Sequence, residues 1–88
     1  MEETKMRTVK FGESEIDVID FEDVAAGERV IEFRYRGDPK KASFAAIVVP
    51  DGGSWSSALL SIDPQAGDVS APLMADLMDV ARSLIEAR

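Results

Sequence analysis

The side chains able to carry chemistry in this chain of 88 residues are almost all carboxylates: 17 Asp and Glu stand beside 10 Lys and Arg, with no His and no Cys. Carboxylates can work as paired general acids and bases, or as oxygen ligands for Ca²⁺ or Mg²⁺. Asp17, Asp20 and Asp23 recur at every third position, but the run lacks the glycine and the distal Glu of a calcium loop. The stretch from Asp63 to Asp68 is equally short of donors, so no metal is expected. Without His or Cys there can be no disulfide, thiolate zinc site, His-ligated haem, or Ser–His or Cys–His relay. Gly52-Gly53-Ser54-Trp55-Ser56-Ser57 sets serines behind a tight turn, yet it is not Gly-x-Ser-x-Gly and has no base to serve it. Neither glycine-rich phosphate motif is present, and no cofactor is expected. An enzyme subunit relying on carboxylates alone is the most remote of the functional classes.

The charges are unevenly spread. Residues 11 to 28 carry seven acids and no base, while residues 29 to 41 carry five bases and two acids. Glu13, Glu15, Asp17 and Glu22, together with the single Trp55, are the candidate partner-binding residues. As a docking edge, such acids would meet a basic protein, or imitate a nucleic acid and plug the cleft of a basic nucleic-acid-binding enzyme, as phage and mobile-element inhibitors do. The plainer expectation is that the two segments are neighbouring strands whose opposite charges pair across the ladder. Arg34, Arg36, Lys40 and Lys41 could suggest a nucleic-acid patch, but strand alternation sends Tyr35 to the face opposite both arginines. A net charge of −7 also repels phosphate backbones and anionic lipid, so neither direct nucleic-acid nor membrane contact is expected.

The elements that must position these residues follow from hydropathy period and turn chemistry. Residues 1–5 read as a frayed tail and 6–88 as a single domain. Gly12-Glu13, between two β-favouring runs, predicts a tight hairpin. Asp20 to Gly27 reads as one helical turn capped by Asp20. Arg29 to Arg36 alternates cleanly as a strand, Ala42 to Val49 forms another, and Trp55 to Ile62 a fifth. Ser70 caps a helix in whose first turn Pro72 is harmless, and its apolar stripe runs from Leu73 to Ile85. The expected fold is α+β: a five-stranded antiparallel meander, flat or curled into a half-barrel, with one amphipathic C-terminal helix on one face.

A single helix of this length covers one face of such a sheet, yet the strand Ala42–Val49 is apolar on both. The second face is then buried by curling, by the 20–27 segment, or by a second copy of the chain, unless its alanines and valines simply stand partly exposed. A homodimer is the expectation, with Ala45, Ile47, Val49 and Leu59 as its interface, because so small a domain has a thin core. No apolar export segment follows the charged start, so a cytoplasmic location is expected. Together these features favour a small acidic protein-binding module, adaptor or regulatory, over the inhibitor and the enzyme.

Overall fold

A computed structural model describes residues 4–40 and 42–87. Five strands, β1 (Lys5–Phe11), β2 (Ser14–Asp23), β3 (Glu28–Tyr35), β4 (Ala45–Pro50) and β5 (Leu59–Ile62), precede one helix, α1 (Ala71–Glu86). All neighbours pair antiparallel in chain order and the sheet is not closed, which makes the fold the expected α+β meander. Phe11 pairs with Ser14 across Gly12-Glu13, and Gly12 takes the positive φ of 61° that this two-residue loop requires.

Cross-strand partners share a face, so the register sorts every side chain. Ile16, Val18, Ile31, Phe33, Ala45, Ile47 and Val49 lie on the face covered by α1, where they form one core with Leu73, Met74, Leu77 and Ala81. Ser70 accepts from the Leu73 amide at 3.3 Å and starts the helix as its cap.

Four expectations are corrected. Residues 20–23 continue β2 instead of forming a helical turn, because Asp20 pairs with Lys5 on one side and Ile31 on the other. The chain reverses at 24–27, where Asp23 bonds the Ala26 amide at 3.1 Å, so this segment crosses neither face. Trp55–Ser57 is a short 3₁₀ turn, and the last strand starts only at Leu59. At the other terminus β1 already includes Lys5, while residues 1–3 of the supposed tail lie outside the described residues.

The fourth correction concerns β4. The Phe44 amide bonds the Phe33 carbonyl at 2.9 Å although Ala45 is the register partner of Phe33, so two residues oppose one. Phe44 thereby turns to the helix side and stacks on Tyr35, with ring centroids 4.5 Å apart. Ala45, Ile47 and Val49 are at most 4% exposed beneath α1. They belong to the core of one chain and cannot form an interface between two. Of the four residues expected there, Leu59 alone faces outward on the other side of the sheet, 66% exposed.

Candidate functional site

The outer face, opposite α1, divides into two ends. Near the Gly12 turn it is polar. Asp17 lies between Thr8 of β1 and Arg34 of β3, its partners in the ladder, and is only 3% exposed. Its carboxylate accepts from the Thr8 hydroxyl at 2.8 Å, from Arg34 Nε at 3.3 Å and from Arg36 at 3.4 Å. Arg36 also donates to the Thr8 hydroxyl oxygen at 2.6 Å. Burial pushes the Asp17 carboxyl up, but the Thr8 and Arg34 hydrogen bonds and the two guanidinium charges outweigh it and hold the group below its ordinary value.

Toward the 24–27 turn the same face becomes apolar. Phe21, Val30, Val48 and Leu59 are aligned partners, one from each of β2 to β5, and form a single row across the sheet. At the usual strand spacing that row is about 14 Å long. Val30, at its centre, is 7% exposed, and exposure rises outward to Leu59. Carboxylates border the row: Asp23 and Glu28 are paired beside it. On the opposite side stands Glu32, which accepts from Ser43 at 2.9 Å.

The acids singled out from sequence do not converge. Glu13 is exposed in the first hairpin turn, Glu15 is exposed on the polar end of the outer face, and Glu22 is exposed on the helix face beside Arg29. Asp17 is corrected as a partner-binding residue, because its oxygens are turned inward and bonded to three side chains of the same chain. The cross-ladder pairing of the acidic and basic segments is present in Asp17–Arg34, and again in Asp20–Arg29. Among the described residues, no group of three Asp or Glu is placed to hold a metal ion.

Trp55 is half-buried, packed against the core, and lines an open cleft with Arg29, Arg82, Ile85 and Glu86. Both cations of that cleft hold carboxylate partners: Arg29 grips Asp20 at 3.0 and 2.7 Å, and Arg82 bonds Glu86 at 3.3 Å. Hydrogen bonding to Asp20, more than burial opposes it, keeps the Arg29 guanidinium above its ordinary value, so it stays charged. Arg29 also donates to the Leu84 carbonyl at 3.2 Å, in the last turn of α1 where carbonyls look for partners outside the helix. The neighbouring serines bond one another: the Ser54 amide donates to Ser57 Oγ at 3.1 Å, and that hydroxyl donates to the Ser54 carbonyl at 3.0 Å. A Cβ at Gly53 would lie 2.9 Å from the Pro50 carbonyl oxygen, so the turn needs glycine for space.

Strand alternation alone sets Ile19 and Phe21 on the outer face of β2 but does not show what stands beside them. Register supplies the missing link, by setting Phe21 beside Val30, Val48 and Leu59. No family model matches the chain, and comparison with curated proteins and with solved structures finds no match. Among the described residues no helix is long and apolar enough to cross a membrane.

Proposed function

We propose that this chain is a small protein-binding module without chemistry of its own, acting in the cytoplasm as a homodimer. Its partner is a basic amphipathic segment that seats on the row Phe21–Val30–Val48–Leu59. The observation that carries this reading is the row itself, apolar across four strands and bordered by Asp23, Glu28 and Glu32. Apolar surface left open to water favours a partner, and the surrounding carboxylates favour one whose anchors are flanked by Lys or Arg. A length of about 14 Å suits roughly three turns of helix laid across the strands. A second copy stacked face to face would instead set these carboxylates against their own kind, in a chain of net charge −7. The inhibitor that imitates nucleic acid has less support, because its acids are scattered and Asp17 is neutralised internally.

Quantitative capture from an extract of the source cells tests the proposal, with wild type and a Val48→Lys/Leu59→Lys variant as parallel baits. A basic protein retained by the wild type, lost with the variant and weakened by 0.5 M salt (a screening length of about 4 Å) is the expected result. Identical captured sets for two folded baits would refute the assignment of this row.

A further inference from the structure

An open sheet has two edges, and each leaves a line of unpaired backbone groups. Here the two edges differ in kind. β1 carries Lys5, Arg7 and Lys10 within seven residues, the usual guard against strand addition. β5 carries none: Leu59, Leu60, Ser61 and Ile62 are uncharged, all four are exposed, and Leu60 and Ile62 remain 43% and 40% open on the helix face. The bareness extends beyond the strand, since residues 42–62 contain a single charged residue, Asp51. In a chain of net charge −7, this is the side on which two copies repel each other least.

We infer that β5 pairs antiparallel with β5 of a second copy across a two-fold axis, joining two sheets into one of ten strands. The inference rests on the dimeric reading of the function and specifies its seam. An antiparallel pair of identical strands is self-complementary by symmetry. Side chains stay on their own face in such a pair, and the register that matches both apolar positions sets Leu60 against Ile62 of the second copy, and the reverse. Ser61 then lies on the axis, facing Ser61 of the second copy. Leu60 and Ile62 extend the core of each chain into that of the other. A foreign strand would be selected by charge or by pockets, neither of which β5 offers, whereas its own sequence fits it without either. Assembly ends at two, because the outer edges of the joined sheet are the cationic β1 strands.

Sedimentation at micromolar concentration, with single substitutions at exposed sites, tests the seam. The wild type should sediment near twice 9.6 kDa. Ser61→Lys, which sets two cations opposite one another, should weaken the dimer by at least about tenfold while circular dichroism stays unchanged. The chain has no cysteine, so Ser61→Cys should give one disulfide-linked dimer on mild oxidation, the α-carbons on the axis lying about 4.5–5.5 Å apart. Glu15→Cys, at the far end of the outer face, should remain unlinked. A wild-type dimer that persists in Ser61→Lys, or in which Ser61→Cys links no faster than Glu15→Cys, overturns the seam but leaves the dimer standing. A wild type that stays at 9.6 kDa throughout overturns both, including the case in which β5 amides become protected only when a foreign protein is added.

Discussion

Val48 and Val49 are adjacent, alike in chemistry, and differently placed. Val49 is sealed under α1 with Ile47 and Ala45, while Val48 stands half-exposed in the outer row with Val30 and Leu59. The two faces they represent contrast throughout. The helix face holds one apolar cluster, beside which the ion pair Asp20–Arg29 is tied to the helix through the Leu84 carbonyl. The outer face is half ion network and half open apolar row. Hydropathy therefore shows which residues need cover. Whether the cover comes from the chain or from another molecule depends on where α1 lies.

The largest test of this contrast is truncation on the closed face. Phe33 is fully buried beneath α1, and Phe33→Ala removes a ring that the rigid surroundings cannot replace. The expected loss is about 3–5 kcal/mol by urea denaturation, a large share of the ~5–10 kcal/mol that holds a domain of this size. Variants are compared at one protein concentration, since association would add to apparent stability. A loss under about 1 kcal/mol would mean that α1 does not seal this face.

A middle-sized effect belongs to the polar end of the outer face. Asp17→Asn keeps the shape but removes the charge that Arg34 and Arg36 address, and should cost about 1–2 kcal/mol at neutral pH. The folded state holds the Asp17 carboxyl below its ordinary value, so ionised Asp17 stabilises the fold above the unfolded value near 4. That contribution disappears as the pH falls through the lower, folded value. Wild type and Asp17→Asn should thus differ at pH 7 and converge as the pH falls below about 4. A constant difference across that window would show that Asp17 acts through shape alone.

How much of this was legible depended on whether local signals agreed with long-range pairing. Ser70 and Pro72 mark the start of α1 by chemistry that needs no tertiary partner, and the clean alternation of β3 identifies both its faces. Asp20 offered a helix cap, but β1 and β3 pair it on both sides and β3 alone carries β2 on to Asp23, and pairing outweighed a capping preference worth about 1 kcal/mol. β4 was legible as a strand and illegible in orientation. Apolar residues at both parities leave its inward face undetermined until Phe33 fixes the register through Phe44 and Ala45. The mutual pairing of acidic and basic segments could be anticipated from their order, but which acid was buried could not, because Glu15 and Asp17 share one face and differ only in their neighbours across the ladder.

The smallest expected effect is at the exposed end of the apolar row. Leu59 keeps 66% of its surface open to water in the folded chain, so Leu59→Thr forfeits little burial and keeps a strand-forming residue. The change in unfolding free energy should fall within about 0.5 kcal/mol, as it does for most surface substitutions. Capture of a basic partner should nevertheless decline, because the same side chain is freely available to dock. This separation of stability from binding distinguishes an outer row kept for another molecule from apolar residues that merely complete a strand. A loss above about 1 kcal/mol in a sample that sediments as a monomer would show that Leu59 is already covered by its own chain, and the two faces would differ far less than their exposures indicate.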